Sequence, residues 1–166
     1  MAASIKIYEL SASQAGTDKT ASTIRFKLAD NATVDTSNPL TIPSAGSYQT
    51  KSYSKHVRLY CATAPSVSIS NPRLYTDGSN GMGTGITINA SNAGAAFNAN
   101  STVTITASNV FSFTSASPKS LKVVHTADVT ATGYCYDIIK MQCLVASNAV
   151  SGYSNSESIT FSYDEI

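Results

Sequence analysis

The stretch Arg73-Leu-Tyr-Thr-Asp-Gly-Ser-Asn-Gly-Met-Gly-Thr-Gly-Ile-Thr-Ile88 holds four glycines within eight residues: Gly78, Gly81, Gly83 and Gly85. Glycine adopts positive φ at little cost, so a cluster this dense predicts backbone that turns sharply or is approached closely. Asp77-Gly78 and Asn80-Gly81 are both favoured tight-turn pairs. Because β-favouring apolar residues flank the stretch, it predicts a tight, sequence-determined turn that connects two core strands.

Alternation of apolar and polar residues continues outward from this stretch in both directions. Val57, Leu59 and Cys61 alternate with Arg58 and Tyr60, which is the period of a strand with one face in a core. The run 134–145 is partly apolar on both faces, which predicts a central strand. Further strands are predicted at residues 5–10, 24–28, 48–53, 67–70, 73–75, 86–88, 103–105, 111–113 and 159–163.

Four segments carry more specific expectations. In 24–28, Ile24, Phe26 and Leu28 are expected to face the core and Lys27 the solvent. Asn71-Pro72 is expected to end a strand, because proline lacks the amide proton of a central strand. The segment 34–43 contains Pro39 and Pro43 and is therefore expected to form an edge strand or a loop. The Ala- and Asn-rich run 89–100 is expected to be mobile and to contact a partner.

About ten short strands separated by turn signals, with no sustained helical period, predict an all-β fold. The preferred architecture is an antiparallel two-sheet β-sandwich, Ig-like or jelly-roll-like. At 166 residues, the chain is predicted to be a single domain, 1–166.

The composition weighs against nucleic-acid and membrane partners. The formal net charge is +1, only 13% of the residues are charged, and 26 Ser and 19 Thr supply the polarity. Tyrosines at 48, 53, 60 and 75 lie among Lys51, Lys55, Arg58 and Arg73, and a mixed solvated sheet face is the preferred explanation. With no secretion signal and no apolar run of about 20 residues, we expect synthesis and folding in the cytosol.

The set of potentially catalytic residues predicts neither an enzyme nor a bound cofactor. The two histidines, His56 and His125, lie in strand patterns, and no hydrolase elbow, zinc-protease or P-loop motif occurs. The cysteine count is odd, which is unlike a disulfide framework. Cys61 and Cys143 are therefore predicted to be buried free thiols.

The constellation Asp77-Gly78-Ser79-Asn80-Gly81 leaves two interpretations open. Oxygens of Asp77, Ser79 and Asn80 can surround a calcium ion, but calcium wants six to eight oxygens and only one carboxylate is local. The preferred interpretation is a structural turn in which the side chains of Asp77 and Ser79 cap the amides of the loop itself.

Several phrases, in their order along the chain, resemble a family of small structural proteins of tailed bacteriophages. The glycine stretch 73–88 is the most specific of them. The others are Thr23-Ile-Arg-Phe-Lys-Leu-Ala-Asp30, Val34-Asp-Thr-Ser-Asn-Pro39, Phe113-Thr-Ser-Ala-Ser-Pro118 and Ile159-Thr-Phe-Ser-Tyr-Asp-Glu165.

The resemblance implies a virion component, and first a decoration (cement) protein that binds the major capsid protein on the capsid exterior. A homo-oligomer is implied, and a trimer would match sites at symmetry axes. A head-tail adaptor or tail component is the second choice. A host-glycan-binding sandwich is a separate alternative, motivated by tyrosines and the Asp77 loop. A hydrolase is the least favoured, since only His56 and His125 supply imidazoles.

Overall fold

The structure, a computed structural model, describes residues 2–10, 16–44, 49–94, 101–152 and 154–166. Within these ranges the chain forms ten β-strands and one 3₁₀ turn, Val110–Ser112, and contains no α-helix. The strands are β1 (Ser4–Leu10), β2 (Gly16–Asp18), β3 (Gln49–Lys51), β4 (Lys55–Thr63), β5 (Ile69–Tyr75), β6 (Ile86–Gly94), β7 (Ser108–Asn109), β8 (Lys119–Ser120), β9 (Gly133–Ala146) and β10 (Thr160–Glu165).

The strands form two antiparallel sheets that pack against each other, which confirms the predicted β-sandwich. The larger sheet has the order β2-β1-β4-β9-β6-β7, and the smaller sheet has the order β10-β5-β8. Strand β3 also pairs with β9, beyond the end of β4 on the same edge. The long strand β9 therefore lies at the centre of the larger sheet, as its two apolar faces predicted.

The core lies between the sheets, and strand alternation fills it. Val57, Leu59 and Cys61 of β4 are buried, as predicted, and they join a cluster that includes Leu74 of β5 and Ile139 of β9. Fully burying an aliphatic side chain of this size contributes about 1.5–3 kcal/mol to stability. This packing fixes which face of β9 points towards the smaller sheet.

The prediction of a strand at 24–28 is wrong, although Ile24 and Phe26 do pack against the core as expected. The segment has no strand pairing, Lys27 is fully buried, and Leu28 is 37% exposed. The Lys27 Nζ atom lies 3.1 Å from Asp35 Oδ1, so the buried ammonium has a carboxylate partner. Polarity alone assigns a lysine to solvent, and the pattern could not reveal a partner eight residues away.

Two more buried lysines fasten the segment around residues 31–35 to the larger sheet. The Nζ atom of Lys55 donates to Glu9 Oε1 at 2.8 Å and to the carbonyl oxygen of Asn31 at 2.7 Å. The Nζ atom of Lys19 donates to the Ala32 carbonyl at 2.6 Å and lies 3.7 Å from Glu9 Oε2. Charged groups therefore anchor this irregular segment to the larger sheet.

The dipeptide Asn71-Pro72 does not end a strand, contrary to the prediction. It lies inside β5, where Asn71 has a φ of +46° and the register with β10 shifts between Ser162 and Asp164. Such an irregularity tolerates proline, because the ladder is locally interrupted and requires no amide donor there.

Three other local expectations differ from the structure. No strand covers 103–105, where Val103 is 72% exposed, and the 3₁₀ turn replaces the strand expected at 111–113. The run 89–100 was expected to be mobile, but its first half belongs to β6 and pairs with β9. Strand pairing is possible there because ladder hydrogen bonds do not depend on side-chain type. Residues 95–100, and Tyr48 of the strand expected at 48–53, lie outside the described residues.

Candidate functional site

The glycine stretch connects β5 to β6 through tight turns. The Oδ1 atom of Asp77 accepts a hydrogen bond from the amide of Ser79 at 2.9 Å, and Asn80 Oδ1 accepts one from Met82 at 3.2 Å. The side-chain amide of Asn80 also donates to the Ile86 carbonyl at 2.6 Å. Side chains that bond to a backbone amide two residues ahead are typical of Asx turns.

The glycines of this stretch serve two different physical needs. Gly85 combines positive φ with a close approach, since a Cβ atom there would lie 2.7 Å from the backbone nitrogen of Ala149. A Cβ atom on Gly81 would lie 2.2 Å from Glu157 Oε1, so Gly81 leaves space for that carboxylate. Positive φ values occur at three of the four: Gly78 (+87°), Gly83 (+115°) and Gly85 (+76°).

The candidate calcium ligands Asp77, Ser79 and Asn80 lie together on this turn. The Oδ1 atoms of Asp77 and Asn80 are already hydrogen-bonded to backbone amides. In the ranges that the structure describes, no group of three or more His, Cys, Asp or Glu side chains is placed to hold a metal ion. The turn interpretation accounts for the contacts seen, and calcium binding stays an untested alternative.

A pocket of about 340 Å³ lies beside the glycine stretch, and we call it the Asp77–Glu157 pocket. Tyr75 lines it from the end of β5, and Ser115 lines it from the loop after the 3₁₀ turn. The segment after β9 contributes Glu157 to the lining. The remaining lining side chains are all Ser or Thr.

The sequence pointed to Asp77 but not to Glu157, which lines the same pocket. Glu157 is the single charged residue between Lys140 and Asp164, which was the available signal. Its position depends on a contact between distant parts of the chain. The side-chain amide of Asn155 donates to the Gly81 carbonyl at 3.1 Å and holds the segment against the glycine stretch.

A second unusual feature is a bulge in the first half of β9. Leu59 of β4 pairs with Cys135, but Val57 pairs with Ile139, so extra residues of β9 occupy the gap. Tyr136 in this gap has a φ of +59°, which is uncommon for a residue with a large side chain. Bulges of this kind redirect side chains and are frequent next to functional sites.

The next residue of the bulge, Asp137, has a fully buried carboxylate. It accepts hydrogen bonds from the backbone amides of Val123, Val124 and His125 at 2.9–3.1 Å, and from the side chain of Asn92 at 3.1 Å. Burial raises the pKa of the Asp137 carboxyl, but the amide hydrogen bonds outweigh this effect, and its pKa lies below the usual value. The carboxylate therefore holds the backbone of 123–125 in one conformation.

The loop held by Asp137 presents apolar side chains to solvent. Val123 is 61% exposed and Val124 is 60% exposed. Next to them, the Nη2 atom of Arg58 lies 3.5 Å from His125 Nε2, and its guanidinium lies 5.6 Å from the ring centroid of Tyr134. We call these five residues, Arg58, Val123, Val124, His125 and Tyr134, the bulge surface.

Two more tyrosines extend the bulge surface across the larger sheet. The ring centroid of Tyr60 lies 5.1 Å from that of Tyr134, and the centroid of Tyr8 lies 5.8 Å from Tyr134 in an edge-to-face arrangement. Aromatic pairs at these distances stabilise one another beyond their area burial. The tyrosines therefore form an ordered platform rather than separate surface side chains.

The two histidines have different surroundings. Both ring nitrogens of His125 face neighbouring side chains, with Nδ1 at 3.2 Å from Asp137 Oδ1 and Nε2 near Arg58. This arrangement orients the ring. His56 is fully buried in β4. The geometry gives His125 a positioning role in the loop.

The remaining residues singled out in the sequence lie apart from these sites. Cys61 and Cys143 are buried free thiols, as predicted, and so is Cys135. Of the cations set among tyrosines, Lys55 is buried against Glu9, and Arg73 pairs with Asp164. These cations are therefore neutralised within the chain.

The chain was compared with known proteins in three ways. A scan against protein-family models, a search of curated proteins and a search of solved structures each found no match. Among the described residues, no helix has the length and apolar character needed to cross a membrane.

Proposed function

We propose that this chain is a structural component of a bacteriophage virion that binds the capsid exterior as a decoration protein. The sequence resemblance around the glycine stretch is what suggests a capsid as the binding target and the major capsid protein as the partner. The observation that carries the protein-binding part is the bulge surface, where exposed valines lie on a loop fixed by Asp137.

The bulge surface has the properties of the centre of a protein interface. Tyrosine and arginine are enriched at such centres and often dominate the binding energy. Because Asp137 already orders the loop, Val123 and Val124 lose little conformational freedom when a partner covers them. A rigid apolar surface of this kind favours a preformed apolar recess on the partner.

The edges of the larger sheet suit a protein present in many copies. The edge strands β2 and β7 are three and two residues long. Short edges give little template for strand pairing between free copies. A capsid offers the same site many times, so modest affinity per copy is sufficient when each copy bridges neighbouring capsomers.

Co-sedimentation with undecorated capsids tests this proposal. We expect the wild-type protein to saturate the capsids, and we expect Val124→Asp to reduce binding at least tenfold, since it places a charge in an apolar contact. Val150→Asp is the matched control, because Val150 is 80% exposed and lies outside the bulge surface. Both variants must retain the wild-type unfolding midpoint.

Three results would decide against parts of the proposal. Failure of the wild-type protein to co-sediment at saturating concentration contradicts the decoration role and favours a connector or tail position. Equal binding by Val124→Asp and Val150→Asp rules out the bulge surface as the contact. If Val124→Asp instead converts an oligomer to monomers in analytical ultracentrifugation, the surface joins copies of this chain.

A further inference from the structure

The Asp77–Glu157 pocket has a lining whose chemistry restricts its ligand. Two acidic residues, one tyrosine and five Ser or Thr residues line a half-open space of about 340 Å³. This volume lies at the lower end of the range for small-molecule sites. The lining contains no aliphatic side chain and no cationic one.

This lining disfavours several ligand classes. Anions would be repelled by Asp77 and Glu157, and no lysine or arginine lines the pocket to offset that repulsion. A purely apolar ligand would leave the carboxylates without hydrogen-bond donors. The best-matched ligand is uncharged, carries many hydroxyl donors, and has an apolar face for one aromatic ring.

We propose that the Asp77–Glu157 pocket binds a neutral saccharide. Sugar hydroxyls donate to the carboxylates, and such charge-assisted hydrogen bonds are about twice as strong as neutral ones. The C–H face of the pyranose packs on the ring of Tyr75. Ser115 and Ser158 supply hydroxyls that can donate or accept, and thus adapt to the orientation of the sugar.

The carboxylates are positioned before any ligand arrives. The Asx turn to the amide of Ser79 holds Asp77, and the absent side chain of Gly81 lets Glu157 approach the glycine stretch. The hydrogen bond from Asn155 to the Gly81 carbonyl fixes the segment that carries Glu157. The site is shallow and polar, so we expect a Kd on the order of 1 mM for a monosaccharide.

NMR titration of the full chain with a panel of neutral monosaccharides, each taken to about 50 mM, tests the proposal. We expect shifts at the amides of Tyr75, Asp77 and Ser115, and at least a tenfold weaker Kd for Glu157→Gln. Glu165→Gln is the matched control, because it removes the same charge at the far end of β10, outside the pocket. It should bind the sugar like the wild-type protein.

Each contrary result overturns the inference. Binding of no neutral glycan, or equal affinity for Glu157→Gln and Glu165→Gln, removes the saccharide site. A response to spermidine but not to sugars assigns the pocket to cations instead, and a response only to calcium does the same. The inference is independent of the capsid proposal, since Glu157→Gln should leave capsid co-sedimentation unchanged.

Discussion

The Tyr136 hydroxyl donates to the carbonyl oxygen of Ile69 at 2.5 Å, and this hydrogen bond joins the two sheets through the core. Tyr136 reaches that carbonyl from the bulge of β9, where its φ is +59°. A positive φ at a bulky residue costs about 1–2 kcal/mol. The bond to Ile69 and the burial of the ring offset this cost.

Tyr136→Phe should lower the free energy of unfolding by about 1 kcal/mol, the usual contribution of one buried hydrogen bond. The loss is limited because the Ile69 carbonyl also accepts from the amide of Val129 at 3.0 Å and keeps that partner. Urea denaturation followed by circular dichroism measures the change. Tyr134→Phe, at an exposed ring, is the control and should stay within about 0.5 kcal/mol of wild type.

Asp137 should make stability depend on pH in the acid range. Its folded pKa lies below the usual value, so its contribution is fully present above the unfolded pKa of about 3.9. The contribution is lost as the pH falls through the lower folded pKa. Asp137→Asn should lower stability by about 2–3 kcal/mol near neutral pH, because an amide cannot accept all the bonds the carboxylate accepts.

The informative readout for Asp137 is the slope of unfolding free energy between about pH 5 and pH 2. Asp137→Asn should flatten this slope. Asp18 and Asp35 contribute to the slope that remains, because hydrogen bonds from Lys6 and from Ser37, respectively, also lower their pKa values. A variant with the full wild-type slope would show that Asp137 titrates alike in the folded and unfolded chains.

Alanine substitutions at different glycines of the glycine stretch should differ in their cost to folding stability. Gly83→Ala should cost about 1–2 kcal/mol, because positive φ strains any L-residue while no atom lies within 4 Å of the new Cβ. Gly85→Ala should cost about 3 kcal/mol or more, since its Cβ also meets the backbone of Ala149. Thermal and urea unfolding of the two variants, side by side, measure the difference. Equal costs would show that the Ala149 segment moves aside.

The three cysteines should be unreactive in the folded protein. Burial raises the pKa of the Cys135 and Cys143 thiols to about 12, and it also raises the pKa of Cys61. With Ellman's reagent at about pH 8 we expect no fast phase, and three thiols should react after unfolding in guanidinium. One thiol reacting at the rate of a free cysteine would contradict the buried geometry.

Strand alternation predicted the large features of the fold, because burial on one face of a pleated sheet imposes a period of two. Strand β4 and the central position of β9 followed from that rule. The segment 24–28 does not follow this rule, because the buried Lys27 pairs with the partly exposed Asp35, and such pairs depend on three-dimensional proximity. The bulge at Tyr136 was not predicted either, since extra residues within an apolar run do not change its apolar pattern.

The candidate sites were predicted only in part for the same reason. The glycine density marked the turn and Asp77, because turn chemistry is local. Glu157 and the loop at Val123 depend on contacts across about 80 and 14 residues of sequence, respectively, that only folding creates. A single charge in a long uncharged segment was the one visible sign of Glu157.

The carboxylate of Asp137 affects which parts of the protein unfold together. Because the amides of Val123, Val124 and His125 bond to a residue of the central strand, this surface loop belongs to the same cooperative unit as the core. Its amides should exchange with solvent nearly as slowly as those of β9. The surface that presents the valines then keeps its shape until the whole sandwich unfolds.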